Sequence, residues 1–118
     1  TQMNPSAINE LLAIERKATV LQVLQTHVGA ANGIHEAELV AATMLNGRLC
    51  RKAIELLRLD GVRIGGRPST GYFIAQTDDE LADTFEFMTK RAITTFGQLA
   101  AMKRVGMAQL FGQMNLPD

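Results

Sequence analysis

The sequence predicts a mainly helical α+β domain in which three helices and a small β-hairpin precede a long C-terminal helix. Apolar residues recur at helical spacing in four segments, and glycine or asparagine separates these segments from one another. Val62–Ile64 and Tyr72–Ile74 have the pattern of two short strands around a loop from Gly65 to Gly71. We therefore expect a domain over residues 1–76 and a dimerisation helix over residues 77–118.

The length and composition indicate one soluble domain. A chain of 118 residues can bury a single core, and its 47% hydrophobic and 20% charged residues are typical of a folded protein. Cys50 is the only cysteine, which excludes an internal disulfide and fits a reducing cytoplasm. Residues 1–10 lack the pattern of a secretory signal, and no apolar run approaches the ~18 residues of a membrane span. The expected location is the cytoplasm.

The charge of the chain is unevenly distributed. The formal net charge is zero, but residues 45–75 contain six basic and two acidic residues, whereas the remainder contains six basic and ten acidic residues. A local positive field can attract a polyanion even when the net charge is zero. The alternative is that this asymmetry is an accident of surface charge in a small protein.

Two helices are expected before the basic region. Apolar spacing predicts helix from Ala7 to about Val28, either as one helix with Ser6 as its cap or as two with a break near residues 17–19. Glycines at both ends of residues 29–33 terminate it, and residues 33–34 are candidates for a very short strand. The second helix is expected from His35 to Met44, with Leu39, Val40 and Met44 facing inward.

The third helix separates an apolar face from a basic one. Asn46 is a suitable N-cap, and the helix is expected to run to about Asp60 before Gly61 stops it. Its buried face is expected to carry Cys50, Ile54 and Leu57. The side chains expected on the opposite, exposed face are Arg48, Arg51 and Lys52.

This pattern resembles the winged helix-turn-helix domain of the biotin operon repressor and related small regulators. The resemblance depends on the run from Ala53 to Val62, which contains an I-x-x-L-R-x-x-G-type ending, and on the P-x-x-G-Y motif from Pro68 to Tyr72. It covers about residues 20–75 and includes no biotin-binding or ligase domain. It implies that the third helix enters the major groove and that the hairpin, or wing, lies on the DNA backbone or the minor groove. The contact residues then expected are Asn46, Arg48, Arg51, Lys52, Arg63, Arg67, Ser69 and Thr70.

Elementary chemistry agrees with this interpretation but leaves alternatives. The major groove, about 12 Å wide, admits one helix, and arginine can pair bidentately with guanine or phosphate. The basic helix face could equally be an ordinary solvated surface, and Arg63 and Arg67 could simply keep a hairpin edge soluble. Arg58, near the helix end, is expected to neutralise the helix dipole or to pair with Asp60.

The sequence offers little for catalysis or for cofactor binding. His27 and His35 lack partners at metal-ligand spacing, and Cys50 lies on the apolar face as a structural thiol would. The glycine-rich loop lacks the lysine and the following helix of a phosphate-binding P-loop. We therefore expect a binding protein with no cofactor, no metal, no evident small-molecule ligand and no enzymatic activity.

The last helix is the expected dimerisation element. Thr77 and Glu80 form a capping-box pattern at its start, and it should continue to at least Lys103 and at most Met114. Gly106 weakens a helix, so the segment after it could fold back. Residues that recur at near-heptad spacing form an apolar stripe along this helix. The stripe includes Thr95, and Phe96 widens it. The dimer contacts proposed from this stripe are Leu81, Phe85, Met88, Ala92, Phe96, Leu99 and Met102. The alternative is that the helix folds back over its own domain.

Together these features predict a homodimer that binds specific double-stranded DNA sequences and regulates transcription. Two-fold proteins suit this task because they contact two half-sites about one helical turn apart. The alternative function is a protein-interaction or assembly module, such as an accessory factor in replication or segregation of a phage or plasmid.

Overall fold

The computed structural model describes residues 4–115 as helices joined to a small antiparallel sheet. The elements are α1 (Pro5–Leu24), α2 (Glu36–Thr43), α3 (Gly47–Leu59), β1 (Ile64–Gly65), β2 (Phe73–Ile74), α4 (Asp78–Lys103) and α5 (Met107–Gln113). This confirms the predicted α+β class with a long C-terminal helix. The chain forms two compact units, Thr1–Thr84 and Phe85–Asp118. No helix within residues 4–115 is both long enough and apolar enough to cross a membrane.

Helix α1 is continuous and differs at both ends from its prediction. Its cap is Asn4 and not Ser6: the Asn4 Oδ1 accepts a hydrogen bond from the Ala7 N–H at 2.7 Å. The helix ends at Leu24 because the following segment pairs with β2 instead. Val28 forms a parallel bridge with Ile74, and the backbone of Ile74 bonds to those of residues 27 and 29.

Helix α2 buries Leu39 as predicted, but the inward placement of Met44 is wrong. Met44 adopts a left-handed conformation (φ 62°) at the helix C-cap, and it is 88% exposed. A left-handed C-cap turns the chain away from the helix, which takes this side chain out of the core and leads directly to the next N-cap.

Helix α3 follows its prediction closely. Asn46 Oδ1 accepts a hydrogen bond from the Leu49 N–H at 2.9 Å, and Cys50, Ile54 and Leu57 are buried. The core is formed by side chains from α1, the segment before α2, α2, α3 and the hairpin: Val20, Leu24, Ile34, Leu39, Cys50, Ala53, Ile54, Leu57, Ile64 and Tyr72. Apolar burial of this kind is the main stabilising contribution to a small domain.

The hairpin is shorter than predicted and gains a third partner. Strands β1 and β2 pair Ile64 with Ile74 and Gly65 with Phe73. Ile34 forms an antiparallel bridge with Tyr72, with both N–H···O distances at 2.8 Å. The segment before α2 therefore forms a single bridge beside the two-stranded sheet, where a very short strand was expected.

Helix α4 begins with the predicted reciprocal cap. The Glu80 N–H donates to Thr77 Oγ1, and the Thr77 N–H donates to Glu80 Oε1, both at 3.3 Å. Helix α4 ends at Lys103, and Arg104 has a positive φ of 58°.

Within the second unit, α5 packs on the last turns of α4. The rings of Phe96 and Phe111 meet edge to face with centroids 5.2 Å apart, and Ala100 and Leu110 are buried. The segment after Gly106 is therefore a separate short helix.

Candidate nucleic-acid interface

The exposed side of α3 carries the three predicted basic residues, opposite its buried face. Arg48, Arg51 and Lys52 are all exposed, and the first turn of α3 contains no acidic residue. The N-terminus of a helix is itself electropositive. Arg48 lies in this first turn, and no residue within 4–115 pairs with it. This end of α3 is therefore the most positive part of the candidate interface.

Arg51 is held by an acidic residue of α2. Its Nη1 lies 2.8 and 2.9 Å from the two carboxylate oxygens of Glu36, and the two side chains are 51% and 24% exposed. Gly47 leaves room for this pair, since a Cβ there would come within 3.1 Å of atoms of both side chains. The sequence prediction placed Arg51 correctly on the exposed face but missed its carboxylate partner.

Lys52 also has an acidic partner, but this one lies on its own helix. The Lys52 Nζ lies 2.6 Å from a carboxylate oxygen of Glu55, and both side chains are more than half exposed. A pair of this kind contributes only about 0.2–0.5 kcal/mol to a helix. It presents a weak barrier to a competing anion.

The two basic residues of the hairpin face carboxylates at the start of α4. Arg63 pairs with Asp78, and Arg67 pairs with Asp83 at 3.2 Å. The tip is a turn in which the N–H groups of Thr70 and Gly71 donate to the Arg67 carbonyl. Ser69 and Thr70 are exposed at this tip, where hydroxyls can reach a phosphate.

Arg58 has a structural role that the sequence did not reveal. It lies in the last turn of α3, as the dipole prediction requires, but it does not pair with Asp60, which instead accepts from Lys17 at 2.7 Å. Arg58 donates to the carbonyls of Ile64 at 2.9 Å and of residue 66 at 3.0 Å, and it lies 5.9 Å from the Tyr72 ring centroid. Burial lowers the pKa of its guanidinium, and burial likewise raises the pKa of the Tyr72 phenol. Arg58 thus fixes the hairpin against α3.

The ion pairs change the electrostatics inferred from the sequence. Glu36, Asp78 and Asp83 lie outside the basic stretch in sequence, yet they contact three of its arginines. The local positive surplus is therefore smaller in the folded chain than in the linear sequence. An incoming phosphate must compete with these carboxylates for Arg51, Arg63 and Arg67.

The predicted dimer residues fall into two groups. Leu81 belongs to the first unit and is only 3% exposed, so the prediction that it contributes to an exposed stripe is wrong. In the second unit Phe85, Met88 and Met102 are 57, 45 and 74% exposed. Ala92 is also exposed, whereas Phe96 and Leu99 are half-buried.

The metal-ligating side chains of the described part of the chain are scattered. Within residues 4–115, no three His, Cys, Asp or Glu side chains are grouped as metal ligands would be. Cys50 is buried with its Sγ 3.5 Å from the Thr43 hydroxyl, and His27 Nδ1 lies 2.8 Å from the Asn32 carbonyl oxygen.

The chain was also compared with known proteins. No protein-family model, curated protein or solved structure matches it.

Proposed function

We propose that this chain is a winged helix-turn-helix protein that binds specific double-stranded DNA sequences as a homodimer and regulates transcription in the cytoplasm. The observation that carries the proposal is the first half of α3: a capped, acid-free helix start with Arg48, Arg51 and Lys52 exposed on one side. It acts by binding and has no catalytic role.

The order and spacing of the elements support the proposal. Helices α2 and α3 are joined by a short turn at residues 44–46, and the β1–β2 hairpin follows α3 directly. With a rise of ~1.5 Å per residue, α3 is about 20 Å long, and one helix fits the major groove. In this arrangement α3 enters the groove, and the tip at Arg67, Ser69 and Thr70 lies on the backbone or the minor groove.

The ion pairs set the expected strength of binding. Exposed pairs contribute only about 0.2–1 kcal/mol each, so a phosphate can displace Glu55 from Lys52 or Glu36 from Arg51 at modest cost. Binding should then be weak per copy and strongly dependent on salt, since each neutralised phosphate contributes about −0.9 to the slope of log K against log salt. A homodimer joined through the exposed residues of α4 raises the affinity by presenting two such faces to two half-sites.

Fluorescence anisotropy with random duplexes, and with duplexes selected for binding, tests the proposal. Arg48→Ala with Lys52→Ala should weaken binding at least about tenfold and reduce the salt slope by about two, because two phosphates are then no longer neutralised. Lys90→Ala is the matched control because Lys90 is an exposed, ion-paired lysine of the second unit. Failure of the unmodified chain to bind any duplex at low salt would refute the proposal.

A protein-interaction or assembly module is the second candidate. The observation that favours it is the exposed apolar surface on the N-terminal half of α1, where Ile8, Leu11 and Ile14 are 44, 49 and 59% exposed. On this interpretation the ion-paired arginines only keep the surface soluble. The Arg48→Ala/Lys52→Ala variant would then bind its partner normally, whereas Leu11→Lys would not.

A further inference from the structure

A largely exposed apolar stripe runs along the part of α4 that lies in the second unit. We define the seam as its residues at alternating three- and four-residue spacing: Phe85, Met88, Ala92, Thr95, Leu99 and Met102. We propose that a second copy of this chain covers the seam with its own seam in antiparallel orientation. The inference deepens the homodimer of the proposed function and specifies its geometry.

The second unit needs such a partner because its own core is small. Within residues 85–115 the buried apolar side chains are Ala100 and Leu110 alone. Units below roughly 40 residues rarely fold on one core of this size, and oligomerisation is one of their usual means of stabilisation. Phe85 and Met102, at the two ends of the seam, remain 57 and 74% exposed.

The spacing of the seam permits the antiparallel register. The spacings between successive seam residues, alternately three and four, are the same when they are read from either end of the seam. In two antiparallel copies, each seam residue can therefore face a seam residue of the other copy. Phe85 then faces Met102 of the second copy, and Met88 faces its Leu99. Ala92 faces Thr95 on both sides of the two-fold axis, so the smallest side chains meet at the centre of the seam.

The charges along α4 favour antiparallel over parallel pairing. The acidic residues of α4 all precede its midpoint: Asp78, Asp79, Glu80, Asp83 and Glu86. No acidic residue follows within 87–115, and the charged residues in the rest of the helix are all basic: Lys90, Arg91 and Lys103. A parallel pair would place like-charged segments side by side. An antiparallel pair places Glu86, which pairs with Lys90 of its own helix at 2.9 Å, next to Lys103 of the second copy as well.

Spin-label distances in the full chain, measured without DNA, test the orientation. Lys103→Cys faces position 84 of the other copy in this register, so two labels there should lie about 28 Å apart along the axis. Labels at Gln98→Cys should lie closer, at about 13 Å along the axis. The unmodified protein controls for labelling, since Cys50 is fully buried. Equal, short distances at both positions would indicate parallel pairing and overturn the inference, as would a light-scattering mass of one chain at micromolar concentration.

Charge exchange gives a second test that does not depend on labels. Glu86→Lys and Lys103→Glu should each weaken dimerisation about three- to tenfold at low salt, because each contact occurs twice in a two-fold dimer. The double variant should return to within about twofold of the original dissociation constant. Absence of rescue would count against antiparallel pairing, because only that orientation brings the two positions together.

A substitution pair tests the seam itself. Met88→Lys should weaken the dimer at least about a hundredfold, since it places a charge in an apolar layer on both helices. Ile93→Lys is the matched control: Ile93 is also an exposed apolar residue of α4, at 58%, but lies outside the seam. Equal effects of the two variants would refute the seam. These measurements omit DNA, so failure to bind DNA leaves their outcome unchanged. A monomeric chain that still binds DNA would overturn the antiparallel inference and the homodimer, but not the DNA binding. A dimer with parallel pairing would overturn the antiparallel inference alone.

Discussion

Glu36→Gln is the substitution that most directly separates DNA binding from a purely solubilising basic face. The Glu36 carboxylate lies 2.8 and 2.9 Å from Arg51 Nη1, and it is the only acidic partner of that arginine in residues 4–115. Glutamine keeps the size of the side chain but removes its charge. The substitution therefore leaves Arg51 in place on α3 while removing the carboxylate with which a phosphate must compete.

The expected effect is tighter DNA binding. With side chains 51 and 24% exposed, the pair is worth at most about 1 kcal/mol, which corresponds to about a fivefold change in affinity per copy. Release of Arg51 to phosphate, in addition to Arg48 and Lys52, should also make the salt slope steeper by about 0.9. The substitution should lower the melting temperature only slightly, because it removes one ion pair and one favourable dipole interaction at the start of α2.

Anisotropy titrations at several salt concentrations measure both quantities. Glu15→Gln is the matched control, because it removes one negative charge from the same unit at an exposed position of α1. If Glu36→Gln leaves the affinity and the salt slope equal to those of Glu15→Gln, Arg51 does not contact DNA. A weaker affinity would contradict the competition between carboxylate and phosphate.

Two further predictions concern the frame that holds the interface. Gly66→Ala should lower the free energy of unfolding in urea by at least about 2 kcal/mol, because residue 66 has a φ of 89° and a Cβ there would overlap the carbonyl oxygen of residue 71. Gly97→Ala is the contrasting variant. Since Gly97 is an exposed helical residue with open space around it, this substitution should raise the free energy of unfolding by up to about 1 kcal/mol. Backbone N–H donors, foremost that of Ala30, lower the pKa of Glu80 below its ordinary value of 4.5. The stabilisation from these bonds is present above pH 4.5 and is lost as the pH falls through the lowered pKa. Glu80→Gln should therefore reduce the loss of unfolding free energy at acidic pH. An unchanged dependence of the unfolding free energy on pH would contradict this role.

Local sequence signals predicted much of this fold because their causes are local. The Asn46 cap, the buried face of α3 and the capping box at Thr77 each depend on residues within one or two turns. Met44 shows the limit of such reasoning. Its spacing fits an inward position, but the helix ends one residue earlier and the left-handed cap turns the side chain outward.

The candidate site was harder to predict because its electrostatics depend on tertiary contacts. Arg51 and Glu36 are 15 residues apart, and Arg67 and Asp83 are 16 apart, so no short window of sequence contains both members of a pair. Three of the ten acidic residues outside the basic stretch, Glu36, Asp78 and Asp83, pair with its arginines. Leu81 illustrates the same limit for the apolar stripe, because its spacing matches the seam although the first unit buries it.

Under the proposed function, the paired charges and the seam together give a physical reason for this chain to act as two copies. Carboxylates engage most of the basic residues of the candidate interface in one copy, and Arg48 is the one unpaired basic residue on the α3 face of the described chain. Few phosphates can then be bound unless they displace a carboxylate from its ion pair. Linking two weak sites turns the second binding event into an intramolecular one and raises affinity by a factor on the order of 10²–10⁴. Because the ion pairs cancel most of the positive charge of this face, a single copy should bind DNA only weakly without regard to sequence, since non-specific affinity comes mainly from phosphate neutralisation. The seam then supplies the affinity that the α3 face alone lacks, and only where two half-sites are correctly spaced.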